Sequence, residues 1–440
     1  MSEPNTGRIL FYTNGISIQD STKRTMLNGD SINYGGRWID DEEVGYRLFQ
    51  GAFILPKPNS STQYYLLHQL YDRFLSPSGG FDYYVTKTYF SLIDMTLNNG
   101  RGKVVQKNQL LMRKNTNPII FSATKHANGR DYWVMTQSIH LDTFFRFLVT
   151  PQGIQGPFTQ VIGRHYTTEI GGGSAACFSP NGEYFALFDG ATGVQTFDFD
   201  RCTGLLSNFN YIPRDRNNPI GGISFSPNSR FCYVSNYNHL AQIDMTNNPL
   251  RIDTIAVIDG FQDTIHNNGN IINFGIANFL SMQLAPDNKI YITCFSDHFY
   301  YSIIDNPDAL GAACNVQQHA LRLPTVNNGT IPHNPNYRLG ALTGSTCDTL
   351  TSADESLPSG NFGGFRLFPN PASDHTRLAW NEPLPYNALL QLTNSIGQTV
   401  RSIAVEKGFT YQEVNLKGLT NGVYFLHFPN SEIVKLIKME

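Results

Sequence analysis

Tryptophan is scarce, with 3 in 440 residues, and charged side chains make up only 15%, the 32 basic residues nearly cancelling the 35 acidic ones. No stretch concentrates Lys and Arg. The electrostatic footprint that grips a phosphate backbone is therefore missing, which argues against nucleic acid as a partner. No apolar run reaches the length of about 18 residues that a helical membrane span needs, so none is expected. Motifs of common chemistry are missing too: there is no His-Glu-x-x-His, no His-x-His and no Gly-x-Ser-x-Gly. The six cysteines, Cys177, Cys202, Cys232, Cys294, Cys314 and Cys347, lack the close paired spacing of a zinc site. Buried free thiols and disulfides of an exported protein both stay open.

What the chain has in quantity is aromatic and apolar residues, 12% and 40%, with 30 Phe and 22 Tyr. That composition fits a packed, strand-rich protein and not a disordered one. A repeat organises it. "ACFSPNGEYFALFD" from Ala176, "ISFSPNSRFCYVSN" from Ile223 and "MQLAPDNKIYITCF" from Met282 each place Pro-Asn or Pro-Asp between two apolar runs. Pro presets the first central position of a turn and Asn, Asp or Gly accepts the tight backbone that follows, so each unit predicts a hairpin. Looser copies lie at Asn128-Gly129 and at Pro58-Asn59, and an Asn-rich insert, "DTIHNNGNIINF", separates the last two copies. Two more strand-like runs follow each hairpin, as in "VQTFDFD" then "LLSNFNYI". Four short strands every 40 to 60 residues or so, without amphipathic helices between them, predict a β-propeller whose blades bury their faces against neighbours.

The opening "MSEPNTGRILFYTNG" aligns with "FSPNGEYFALFDG", so Pro4 and Asn5 fall in a turn and the chain begins inside a blade. "RILFYTNG", "FILPKPNSSTQYYLL", "FDFDRCTG", "GISFSPNSRFCYVSN" and "IPHNPNYRLG" together resemble a family of exported propeller proteins of Bacteroidetes-type bacteria, over about Gly7 to Thr349. The resemblance implies a signal peptide and further strands ahead of Met1. It also implies a ring of seven blades, incomplete at the N-terminus, counted as six sets plus a lone strand at Tyr337. The propeller is assigned to residues 1–347.

Residues 348–364, "DTLTSADESLPSGNFGG", read as a linker. Beyond it, residues 365–440 carry alternating runs separated by Gly, Asn and Pro turns, which predict an Ig-like β-sandwich of about seven strands. The run "FPNPASD" with Pro369, Asn370 and Pro371, Gly397 in "SIGQTV", Gly422 and Tyr424 in "LTNGVYFL", and Lys435 in "KLIK" resemble the type A sorting domain of the type IX secretion system. That resemblance implies export to the cell surface or the medium, with the secretion machinery as partner.

No residue is singled out as catalytic, cofactor-binding or metal-ligating, and no cofactor is expected. "EIGGGSAA" at Glu169 lacks the Lys and hydroxyl of a phosphate cradle and predicts entry to an inner strand. In "FDFDRCTG", Asp198 and Asp200 alternate with Phe197 and Phe199, which puts the carboxylates on the face away from the rings, exposed or paired with Arg201. His126, His140, His165, His266 and His333 are placed where loops reach a channel mouth. "FDYYVTKTYF" and "HFYYSI" offer rings for a glycan, about half of which pack between blades. The expected role is a binding or scaffold module with a glycan or protein ligand at the mouth. The alternative is an extracellular propeller hydrolase, lactonase or lyase acting on glycans or small esters.

Overall fold

The computed structural model describes the chain except for residues 4–5, 36, 42–44, 47, 49, 76–80, 141, 166–174, 191, 214–220, 268–269, 296, 349–365, 381–386, 395–397, 428–432 and 440. The chain divides into two units, Met1–Thr351 and Ser352–Glu440.

In the first unit, β1 (Phe11–Thr13) and β2 (Ile18–Asp20) form a small sheet, followed by one helical turn, α1 (Trp38–Asp41). Sheet I is a meander of β3 (Ala52–Pro56), β4 (Gln63–Leu75), β5 (Phe81–Asp94) and β6 (Lys103–Met112). Sheet II is β7 (Thr116–Lys125), β8 (Tyr132–Ser138), β9 (Thr143–Thr150) and β10 (Gly153–Val161), joined to sheet I through the single pair Val85 and Thr116. Sheet III is β11 (Ala175–Phe178), β12 (Tyr184–Asp189), β13 (Gly193–Phe199) and β14 (Leu206–Pro213). Sheet IV is β15 (Ile223–Phe225), β16 (Phe231–Asn236), β17 (His239–Asp244) and β18 (Ile252–Val257). The Asn-rich insert becomes an extra hairpin of β19 (Gln262–Asn267) and β20 (Asn270–Ile276). Sheet V is β21 (Met282–Leu284), β22 (Ile290–Ile292), β23 (His298–Ile304) and β24 (Val316–Asn327).

The Pro-Asn turns fold as their chemistry dictates. Gly182, Ser229 and Asn288 each donate a backbone hydrogen bond three residues back, to Ser179, Ser226 and Ala285, at 2.8, 2.9 and 3.0 Å. All three adopt positive φ, between 65° and 74°, where Gly and Asn are tolerated best. The first hairpin is also visible at its ends: Ser2 bridges Ile9, and Leu10 donates to the Met1 carbonyl. Its turn residues Pro4 and Asn5 lie outside the described residues.

Side-chain alternation then forces the sheets to stack. In β8, Tyr132 and Val134 join a cluster with Phe53, Leu55, Tyr65 and Leu67 of sheet I. Their neighbours Trp133 and Met135 join Phe185, Leu187, Phe197 and Phe199 of sheet III. β12 and β16 repeat the pattern, with Ala186 and Phe188 meeting Cys232 and Val234, and Phe231 and Tyr233 meeting Ile290 and Ile292. Phe11 and Ile18 pack on Ile54, Leu66 and Ile93 at the other end of the series. Sheets I to IV thus bury both faces, and a fully buried Leu or Phe contributes about 1.5–3 kcal/mol. First strands follow one another, β11 beside β7, β15 beside β11 and β21 beside β15. Meanders stacked face to face with their first strands side by side define a β-propeller.

Among its described residues the second unit holds seven strands in two sheets. β25 (Arg366–Phe368), β26 (His375–Ala379) and β29 (Tyr411–Asn415) make one; β27 (Ala388–Asn394), β28 (Thr399–Val405), β30 (Gly422–His427) and β31 (Ile433–Lys438) make the other. One cluster fills the space between, including Leu378 and Val414 from the first sheet and Leu390, Leu426 and Leu436 from the second.

Tyr337 departs from expectation. It belongs to no strand but to a turn in the segment after β24, where the Leu339 amide donates to the Asn336 carbonyl. Its hydroxyl donates to the Ile54 carbonyl at 2.6 Å, and its ring packs on the cluster between sheets I and II. The Asn and Pro residues around Tyr337 favour a turn over a strand there.

Candidate functional sites

In the second unit the Pro-Asn-Pro run does more than end the linker. Asn370 accepts the Ile437 amide at 2.9 Å and donates to the Lys435 carbonyl at 2.8 Å. Ala372 donates to Ile437 and accepts from Met439, both at 2.9 Å, and Lys438, nearly buried, donates to the Ser373 carbonyl. Residues 370–373 therefore run alongside β31 and satisfy the edge that β30 leaves open, tying the first sheet's entry to the last strand. Pro369 takes part by accepting the Thr376 hydroxyl at 2.7 Å. Tyr424 is buried with its hydroxyl on the Thr420 carbonyl, Gly422 opens β30 opposite Lys438, and Lys435 sits exposed opposite Phe425. Gly397 lies outside the described residues. The structure thus brings Asn370 and Lys435 together and leaves Tyr424 in the core.

In the propeller the five histidines scatter. His126 is a turn residue whose Nε2 lies 3.0 Å from the Cys202 carbonyl, and its ring lies against Trp133. Burial pushes its pKa down. His140 and His165 lie with ring centroids 5.6 Å apart, and His165 pairs with Asp142 at 2.6 Å, at the end where second strands turn into third strands. Tyr237 and Phe295 gather at the same end, with centroids 6.1 Å apart. The side chain of His266 and the Gly-rich stretch 169–174 lie outside the described residues. Among the described residues no three His, Cys, Asp or Glu side chains come together in a way that could hold a metal ion.

His333 sits elsewhere, in the segment after β24. Gln50, just ahead of β3, reaches the His333 Nδ1 at 3.3 Å with its amide nitrogen and accepts the Ala176 amide of β11 at 3.1 Å with its oxygen. Burial lowers the His333 pKa to about 4, so the neutral ring is the acceptor at ordinary pH. His68 carried no motif for pattern reading to find. His68 is fully buried in β4, its Nδ1 2.7 Å from Asn33 Oδ1 and its Nε2 3.0 Å from Ser91 Oγ, while Ser91 also accepts the Asn108 amide. This network joins the N-terminal segment to β4, β5 and β6, and burial holds the His68 pKa down at about 3. Only its place in the apolar run "YYLLHQLY" hinted at burial.

Of the two readings kept for Asp198 and Asp200, exposure holds for Asp200, with Asp198 half-buried, and pairing with Arg201 does not. Phe197 and Phe199 do pack inward, and Asp200 takes the Cys202 amide and the Thr203 hydroxyl in a turn. The nearly buried Arg201, however, pairs with carbonyls, donating to Lys125, His126 and Gly340. The guanidinium, with several N–H donors in a fixed fork, reaches three carbonyls at once, one of which, that of His126, also accepts the Gly129 amide. Cys202 and Cys347 form a disulfide, while Cys232, Cys294 and Cys314 are buried free thiols and Cys177 is half-buried.

Residues 366–439 match the family model of the secretion system C-terminal sorting domain. The chain thus ends in a sorting domain, which implies export and contact with the secretion machinery. No curated protein matches the chain. Among solved structures, a candidate 6-phosphogluconolactonase of Bacteroides fragilis is 12% identical with a TM-score of 0.37, the match covering 74% of this chain and 98% of that one. One from Bacteroides uniformis is 14% identical with a TM-score of 0.36, covering 62% and 85%. The Dos1 propeller is 10% identical with a TM-score of 0.30, covering 63% and 69%.

Proposed function

We propose that this protein is a secreted or cell-surface β-propeller that binds or scaffolds an extracellular partner and leaves the cell through the type IX secretion system. The observation that carries the reading is the match of residues 366–439 to the sorting-domain family, in a segment that folds as its own seven-stranded unit. A translocon that reads shape needs a rigid, self-contained label, and the single core shared by both sheets supplies one. The Cys202–Cys347 disulfide supports passage through an oxidising compartment. Asn370, with Pro369, Pro371, Gly397, Gly422, Tyr424 and Lys435, is the motif by which the label keeps its shape. For the propeller, the end bearing Tyr237, Phe295 and the His140–Asp142–His165 group is the binding mouth for a glycan or protein, because loops of successive blades converge there.

The test follows a tag placed, with an export leader, ahead of residue 1 in a Bacteroidetes host with an active type IX system. Surface or medium localisation is expected for the full chain and loss of it when residues 352–440 are removed. Equal surface delivery without them, or in a strain lacking the translocon, overturns the proposal.

A further inference from the structure

The segment after β24 touches blades that are not neighbours. Gly329 accepts the Thr293 hydroxyl where β22 ends, and Asn334 exchanges hydrogen bonds with Gln283 in β21 of sheet V. His333 meets Gln50, which in turn holds Ala176 of β11 in sheet III. Tyr337 reaches Ile54 in β3 of sheet I, and Asn336 donates to the Pro180 carbonyl at the β11–β12 turn. A short stretch that contacts the first strands of sheets I and V and the β11–β12 turn of sheet III spans blades that are not neighbours, a course along the ring axis. It emerges at the end where first strands turn into second strands. There Leu342 donates to the Ala127 carbonyl of sheet II at 2.8 Å and Arg201 grips the Gly340 carbonyl.

The seat is shaped for it. Gly129, at φ +71°, lies so close that a Cβ would come within 2.5 Å of the Ala341 nitrogen, and Leu339 lies against Gly182 in the same way. The Trp133 indole donates to the Arg201 carbonyl at 2.9 Å and holds the clamp's own backbone in place. The segment then ends in Cys347, bonded to Cys202 beside that clamp.

We infer that Gly329–Cys347 is an axial latch, locked by oxidation, which ties sheets I, II, III and V together across the ring. Locking removes one electron and one proton from each of the Cys202 and Cys347 thiols. An incoming disulfide, carried by a thiol oxidoreductase or a small-molecule disulfide, takes them up and becomes two thiols. In the reduced chain the segment keeps its hydrogen bonds but loses its only covalent anchor among the described residues. Its opening is then local, while stacked blades stay protected by their own ladders. The inference does not depend on the second unit being an export label.

Hydrogen exchange on the full chain, oxidised and after dithiothreitol, reads this directly. Reduction is expected to speed the amides of Leu339, Leu342 and Ser345 about 100-fold, while those of β12 and β16 keep their rates. Equal rates in both redox states overturn the latch, and so does a loss of protection that spreads through the blades in step with the segment. A Gly129→Val variant with its disulfide intact separates seat from lock. Faster exchange at Leu339 and Leu342 is expected from crowding Ala341, and unchanged exchange there overturns the seat.

Discussion

β8 sends Tyr132 and Val134 to one neighbouring blade and Trp133 and Met135 to the other. β27 sends Ala388, Leu390 and Leu392 into one core and leaves Leu389 and Gln391 to solvent. The first pattern makes every blade depend on the blades beside it, so apolar strands in the propeller run nearly unbroken. The second gives a unit a core of its own, with Leu389 and Gln391 on the outer face of β27.

The largest test of that difference is a pair of core truncations. Phe197→Ala, which removes a ring 5.3 Å from Phe144 and 6.4 Å from Phe185, should cost the propeller about 3–5 kcal/mol. Leu426→Ala in the fully buried core of the second unit should cost that unit about 2–5 kcal/mol. Chemical denaturation followed by hydrogen exchange should show each change confined to its own unit; a variant that moves both transitions breaks the distinction.

Acid should separate the units next. The buried His68 is neutral in the folded propeller, with its pKa held near 3 against an unfolded value of about 6.5. Protons then bind the unfolded chain better as pH falls below about 6.5, so propeller stability drops by roughly 1.4 kcal/mol per pH unit from this group down to its folded pKa. His68→Gln, which cannot charge, should flatten the slope between pH 6 and 4, read from denaturation midpoints at each pH. An unchanged slope rules His68 out as its source. The smallest effect is expected at Asn370→Ala, which removes two hydrogen bonds to β31 and should cost the second unit about 1–2 kcal/mol. Its measurement is the thermal midpoint of residues 352–440, with the propeller transition as the internal control.

The Pro-Asn hairpins at Pro180, Pro227 and Pro286 were legible because each rests on a turn whose backbone bond spans three residues. Strands β26 to β31 of the second unit were legible for a similar reason, each being an alternating run bounded by turn residues. Asn370 could be named as a landmark, but its hold on β31 spans 65 residues and left no local mark. Arg201 misled for the same reason. Its sequence neighbours are carboxylates, yet its partners are carbonyls 76, 75 and 139 residues away.

Sequence alone determined where this chain turns, which strands follow each turn and which residues face apart along them, because turn chemistry and a period of two act between near neighbours. Tertiary structure alone decided that Cys202 meets Cys347 across 145 residues, that His333 lies beside Gln50, and that the segment between β24 and Cys347 touches sheets I, II and V. Those contacts exist only after the blades have stacked, since stacking is what brings first strands from distant parts of the chain within reach of one short segment.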